Sequence, residues 1–238
     1  MFNNISNHSK QINAKTICSL FVLFAIAVFF WNTVYLYPIK IFVVILHEFS
    51  HGIAAILTGG HIDRIEVNST LGGVCWTNGG NRAIVLSAGY LGSMLWGSII
   101  LLIASRTKHD NVLGIVIGCF LIILSLLFIR NLFGFIFAVG FGLLLIFLCC
   151  KTNNYIADLS MKFIGMTSSL YAIIDIKSDL LDRTVNGNAF YSGMKSDAYV
   201  LAENIGVPQF SILIGVLWMT ISMIVFIRII MLAGKGEA

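Results

Sequence analysis

Residues 38–60 read PIKIFVVILHEFSHGIAAILTGG and place two histidines and a glutamate, His47, Glu48 and His51, inside an otherwise apolar run. A proline suits the first turn of a helix and a glycine pair suits its C-terminal end, so the pattern predicts one helix over this stretch. At a rise of about 1.5 Å per residue, His47 lies about 13 Å along that helix, near the middle of a bilayer. Ionisable side chains are costly at that depth, which indicates that they serve a function.

The composition of the whole chain is that of an integral membrane protein. Of 238 residues, 58% are hydrophobic and 11% are charged, and the mean hydropathy is +0.92. The net charge of +4 does not indicate nucleic-acid binding, because no basic aromatic patch accompanies it. We therefore expect a single integral membrane domain over residues 1–238 that is surrounded by a lipid bilayer. Residues 1–15 are expected to form a polar N-terminal tail.

Six windows reach the length of roughly 18 to 20 apolar residues that a membrane span needs. They are residues 16–37, 38–60, 83–105, the two parts of 112–150 on either side of a turn at Arg130-Asn131, and 205–227. A candidate seventh, residues 155–176, carries Asp158 and Lys162, which shorten its apolar part. The predicted fold class is thus an all-α polytopic membrane protein with six or seven transmembrane helices. Lysine and arginine divide almost evenly between the two sides and set no orientation.

The segment between the second and third spans is polar and rich in glycine. We predict short strands at residues 62–67 and 74–77, with Asn78-Gly79 as a turn. Such a strand-like loop after the H-E-x-x-H helix would offer a sheet edge that binds an extended peptide through backbone hydrogen bonds. The alternative is an irregular loop that only joins two spans.

The order H-E-x-x-H on a helix predicts a zinc site. Residues four apart lie on one face, so His47 and His51 can direct ring nitrogens at one zinc ion about 2.0–2.1 Å away. Glu48 then lies beside the metal, where it can act on a water molecule. The alternatives are buried histidines satisfied by neighbouring helices, haem ligation, and a glutamate in a proton path. His61 and His109 fall in loops or at span ends and are expected to be solvated.

A catalytic zinc ion has three protein ligands and one open position, so a third ligand is needed. Asp175 is the first choice, because an unpaired carboxylate in the apolar run 170–176 would be costly. Asp179 lies four residues later on the same helical face and is a candidate partner for the metal site. Asp197 is the rival third ligand, although serine followed by aspartate also suits an ordinary helix N-terminus.

These motifs resemble the site-2 protease family of intramembrane zinc metalloproteases, in its small branch without a PDZ domain. The resemblance rests on LHEFSHG at residues 46–52 and SAGYLGS at 87–93, and it extends to SDA at 196–198 and to the last span. It implies that His47 and His51 bind zinc and that Glu48 is the catalytic base. The chain lacks the proline-rich segment ending in Leu-Asp-Gly that supplies the third ligand in better-known relatives, so both aspartates remain candidates.

Two functions are compatible with these residues. The first is a zinc metalloendopeptidase that hydrolyses peptide bonds of membrane-embedded protein substrates, with Glu48 activating the attacking water. The second is a non-proteolytic membrane protein, either an inactive metal-binding relative that acts as a partner or a proton-coupled carrier that uses the buried histidine, glutamate and aspartate side chains. Carriers often contain a repeated half, and the sequence shows no internal repeat.

Overall fold

Helices dominate the computed structural model, which describes residues 14–178 and 195–235. Those residues form eight α-helices and one two-stranded sheet. The helices are α1 (Ala14–Phe29), α2 (Tyr37–Leu57), α3 (Arg82–Arg106), α4 (Asp110–Leu127), α5 (Leu132–Lys151), α6 (Asn154–Lys177), α7 (Asp197–Asn204) and α8 (Ser211–Ala233). The strands are β1 (His61–Val67) and β2 (Gly73–Asn78). Six segments, containing α2 to α6 and α8, are long and apolar enough to cross a membrane. The protein is therefore a multi-pass membrane protein, as predicted.

The helix that carries the H-E-x-x-H pattern lies in the interior of the helical bundle. About 72% of its most apolar window is buried, against 33% for α5 and 22% for α8. As predicted, a proline lies in the first turn of α2, and the helix ends just before the glycine pair. α5 and α8 consequently present most of their apolar surface outward, toward lipid.

The first predicted span is shorter in the structure. The sequence predicts one span over residues 16–37, but the apolar helix covers only Thr16–Phe29. At about 1.5 Å per residue the 16 residues of α1 extend ~24 Å, short of the ~30 Å hydrocarbon core. The chain turns after it because Thr33 donates both its amide (3.0 Å) and its hydroxyl (2.7 Å) to the carbonyl of Phe30. A short 3₁₀ helix, Val34–Leu36, then leads into α2.

The segment predicted as a candidate seventh span, residues 155–176, forms α6, which is one of the six helices long and apolar enough to cross a membrane. α6 contains 24 residues and meets the length and hydropathy of a span. Two of its charged residues, Asp158 and Lys162, are four residues apart and form an ion pair. Lys162 is only 9% exposed, and burial of a charge is tolerated when an opposite charge accompanies it.

The glycine-rich segment forms the predicted pair of strands. β1 and β2 are antiparallel, with His61 opposite Asn78 and Val67 opposite Gly73. The tip of the hairpin lies near the N-terminal end of α2, because the Tyr37 hydroxyl donates to the carbonyl of Ser69 over 2.8 Å. The hairpin therefore runs back along α2 and places its second strand beside the middle of that helix.

Candidate metal centre and catalytic residues

His47 and His51 lie one helical turn apart on the same face of α2. Their ring centroids are 4.8 Å apart, with the planes inclined at 78°. The side chains are 14% and 9% exposed, respectively. The predicted pair of imidazoles therefore faces one common, largely buried point.

Asp197 brings a carboxylate to the two histidines from a distant part of the chain. It is the first residue of α7, whose N-cap is Ser196. Its Oδ2 atom lies 3.0 Å from Nε2 of His47 and 3.2 Å from Nε2 of His51. Among the described residues, these three side chains form a group whose donor atoms all lie within 4.8 Å of one another.

The donor set and its spacing fit a zinc ion. Two imidazoles and one carboxylate are ligands typical of catalytic zinc, and ligands at about 2.0–2.1 Å in a tetrahedron lie about 3.3 Å apart. The observed Nε2–Oδ2 distances of 3.0 and 3.2 Å are close to that value. Burial raises the pKa of the Asp197 carboxyl, but His51 and His47 outweigh burial and hold the pKa well below its ordinary value. The carboxylate is therefore ionised and can act as a ligand.

The neighbouring helices fix both imidazole rings. Nδ1 of His51 lies 2.7 Å from the carbonyl oxygen of Val85 in α3. A carbonyl oxygen only accepts, so Nδ1 carries the proton and Nε2 keeps its lone pair for a metal. The ring of His47 meets Tyr90 edge-on at 4.9 Å, and Tyr90 in turn packs on Trp218 of α8 at 5.6 Å. α3 thus orients one histidine by a hydrogen bond and the other by ring packing.

Glu48 lies between α2 and the second strand of the hairpin. Its side chain is buried, and the backbone amide of Cys75 donates a hydrogen bond to its carboxylate. A Cβ atom built on Gly73 would lie 2.6 Å from Oε1 of Glu48, so a larger residue here would displace the Glu48 side chain. Burial, with help from the nearby carboxylates of Glu48 and Asp63, raises the pKa of the Cys75 thiol to about 12. That thiol is therefore protonated at neutral pH.

A cavity of about 260 Å³ adjoins these residues. His47, Glu48, His51 and Asp197 all line it. The remaining wall comes from the hairpin, α3, α6 and α7, and includes Leu71 to Cys75, Arg82, Val85, Leu86, Tyr90, Tyr171, Asp175 and Lys195. The cavity is large enough for a short stretch of extended peptide but not for a folded domain.

The two candidate third ligands have different places. Asp197 lies against both histidines, whereas Asp175 lines the same cavity but is not part of the three-donor group. The Lys40 ammonium is close enough to interact electrostatically with Asp175. Asp179 lies outside the described residues. His61 is exposed and pairs with Asp63 at 3.1 Å, and His109 is exposed just before α4.

Gly89 of α3 faces both histidine rings. A Cβ atom built on it would lie 2.6 Å from Cε1 of His51 and would also collide with Nε2 of His47. We expect Gly89→Ala to push the rings apart at a cost of about 1–3 kcal/mol and to reduce the zinc content of the purified protein. Gly140→Ala in α5 is the matched control, because a Cβ atom there meets nothing within 4 Å. Equal zinc content in wild type and Gly89→Ala would show that the two rings tolerate a methyl group at position 89.

Comparison with known proteins identifies the family of the chain. The Peptidase M50B-like family matches residues 20–229, a region that contains α2, the hairpin and α7. No curated protein and no solved structure matches the chain. The matched region covers far more than half of the sequence and includes every residue of the three-donor group. The chain therefore belongs to the Peptidase M50B-like family, which is the site-2 protease family of membrane peptidases.

Proposed function

We propose that this protein is an intramembrane zinc endopeptidase that hydrolyses peptide bonds of membrane-embedded protein substrates. His47, His51 and Asp197 would hold the zinc ion, and Glu48 would be the general base. One observation carries the proposal: three donor atoms suited to zinc meet beside a buried glutamate on a membrane-spanning helix. Membership of a peptidase family supports the same reaction class.

In the proposed reaction the metal would polarise water and Glu48 would transfer the proton. A zinc ion at this site would act as a Lewis acid and lower the pKa of water to about 7. Glu48 accepts the proton of the attacking water on its carboxylate and passes it to the nitrogen of the leaving amine. The Cys75 amide holds the carboxylate in place, so the base does not have to reorganise during the step.

The second strand is suited to bind an extended substrate next to Glu48. Within the described residues, β2 pairs only with β1, and the amide of Cys75 points toward α2. A helical substrate hides its carbonyl groups in internal hydrogen bonds, so it must unwind before cleavage. Backbone hydrogen bonds along the free edge of β2 would replace the internal hydrogen bonds that the substrate loses when it unwinds. We expect substrates with residues of weak helix propensity near the cleaved bond.

Removal of the metal tests the proposal. We expect a chelator such as 1,10-phenanthroline to abolish cleavage of a membrane-spanning peptide whose centre carries glycine and asparagine. Added Zn²⁺ should restore cleavage, whereas Mg²⁺ should not, because imidazole nitrogens favour zinc over magnesium. Peptide fragments are measured by mass spectrometry, and metal content by elemental analysis of the same sample. Undiminished cleavage by protein shown to be free of metal would contradict the proposal.

A further inference from the structure

The connection between α4 and α5, residues 128–131, pairs with β1 at one residue, Ile65. The amide of Ile65 donates to the carbonyl of Phe128 over 2.8 Å, and the amide of Arg130 donates to the carbonyl of Ile65 over 3.0 Å. Ile65 and Ile129 form a parallel bridge. β1 therefore pairs with β2 along one edge and with this connection along the other.

The side chain of Asn131 continues this pairing beyond the backbone. Its Oδ1 accepts a hydrogen bond from the amide of Val67 over 3.0 Å. Its Nδ2 donates to the carbonyl of the same residue over 2.6 Å. The amide group thus satisfies both backbone groups of a buried residue at the end of β1. Unpaired backbone groups are costly where water is scarce, so this double contact secures the end of the strand.

Two further contacts lead from Val67 to the base. Val67 lies opposite Gly73 in the register of the hairpin. Gly73 in turn lies against Glu48, since a Cβ atom built on Gly73 would lie 2.6 Å from Oε1 of Glu48. Asn131 is therefore linked to the carboxylate through one residue of each strand. Neither α4 nor α5 supplies a member of the three-donor group, so this link gives their connection a role at the site.

We infer that Asn131 is a positioning residue for Glu48: it attaches the hairpin to the α4–α5 connection and thereby fixes the backbone that confines the carboxylate. The inference rests on the proposed function for its catalytic part. Its structural part, attachment of the hairpin by Asn131, is measurable without any substrate.

The experiment compares wild type, Asn131→Leu, Asn131→Asp and the control Asn111→Leu in detergent-purified full-length protein. Leucine removes both hydrogen bonds, whereas aspartate keeps the acceptor for the amide of Val67. Asn111 hydrogen-bonds Asn154 at the other end of α4 and so tests loss of an asparagine away from the hairpin. Three quantities are measured: hydrogen–deuterium exchange of residues 61–78, zinc per chain, and kcat and KM on the membrane-spanning peptide.

We expect Asn131→Leu to raise exchange in residues 61–78 and to lower kcat by about tenfold or more, because a shift of about 1 Å can cost a hundredfold. Zinc content should not change, and Asn131→Asp should give intermediate exchange and kcat. Unchanged exchange would overturn the attachment, and raised exchange with unchanged kcat would overturn the positioning role. Loss of zinc or raised exchange throughout the chain would also overturn it, by showing general unfolding. If wild type cleaves nothing, the proposed function fails while the exchange result still decides the attachment.

Discussion

Replacement of Glu48 by glutamine is expected to lower the rate of peptide cleavage by about 10²- to 10⁴-fold, the usual contribution of a general base. Glutamine keeps the size of the side chain and still accepts the hydrogen bond from the amide of Cys75, but it cannot take a proton from water. The metal ligands are untouched, so about one zinc ion per chain should remain. The measurement pairs cleavage of the membrane-spanning peptide with zinc content of the same sample.

The control for this substitution is Glu66→Gln. Glu66 lies in β1 and pairs with Arg64 at 2.7 Å on the exposed surface, so its loss should leave cleavage within about twofold of wild type, as for ordinary surface substitutions. Cleavage by Glu48→Gln at a rate close to wild type would remove Glu48 from the mechanism. Loss of zinc in this variant would instead indicate that Glu48 is a ligand.

Replacement of Asp197 by alanine is expected to remove both zinc and activity. Only two imidazoles would then remain in the group of donors, and catalytic zinc needs about three protein ligands. Helix α7 should persist, because its cap is Ser196, which accepts the hydrogen bond from the amide of Tyr199. Elemental analysis should show zinc well below the value of about one per chain expected for wild type. Asp197→Asn, which keeps the volume but not the charge, should behave in the same way.

Asp175→Ala is the decisive comparison for the third ligand. Asp175 lines the cavity outside the three-donor group, so this variant should retain zinc. Because Lys40 then loses an electrostatic partner, we expect lower stability, measured as a lower melting temperature. Zinc lost in Asp175→Ala and kept in Asp197→Ala would reverse the assignment of the third ligand.

The local part of the site could be predicted from the sequence, and the distant part could not. Spacing on one helix fixes the relation of His47, Glu48 and His51, so the pattern alone predicts their common face. Asp197 lies 150 residues after His47 and reaches it only because α7 packs beside α3 and α8. Its sequence context is that of an ordinary helix start, whereas the apolar context of Asp175 suggested a costly carboxylate. In the structure, Asp175 lines the cavity and lies within electrostatic reach of Lys40.

The fold shows the same division between local and distant information. Hydropathy averaged over a window of residues predicts most of the spans. The short runs of residues between glycine-rich turns predict both strands. Hydropathy misplaces the end of the first helix, because a hydrogen-bonded turn at Thr33 interrupts an apolar run. Hydropathy also underrates α6, because it counts Asp158 and Lys162 as two separate charges and takes no account of their pairing four residues apart on one helix. The turn at Asn131 was predictable, but its pairing with β1 depends on tertiary packing.

The glycines of α3 show why the role of a small residue is difficult to interpret from sequence. Gly89 allows α3 to approach the histidines, whereas Gly97, two helical turns later, lies against the backbone of Ser169 in α6. Two glycines on α3 thus have different neighbours, the candidate metal ligands at Gly89 and a packed helix at Gly97. Gly73, in the hairpin, has a role that only its distance to Glu48 reveals.

The most direct test of the account is to map where a membrane-spanning peptide is cleaved by the purified, zinc-loaded protein in lipid vesicles. Wild type should produce two fragments whose new ends lie within the membrane-spanning part of the peptide, and Glu48→Gln should leave the peptide intact. Mass spectrometry gives both the amount and the position of cleavage. An intact peptide with zinc-loaded wild type, or the same fragments with Glu48→Gln, would contradict the assignment of this protein as an intramembrane zinc peptidase.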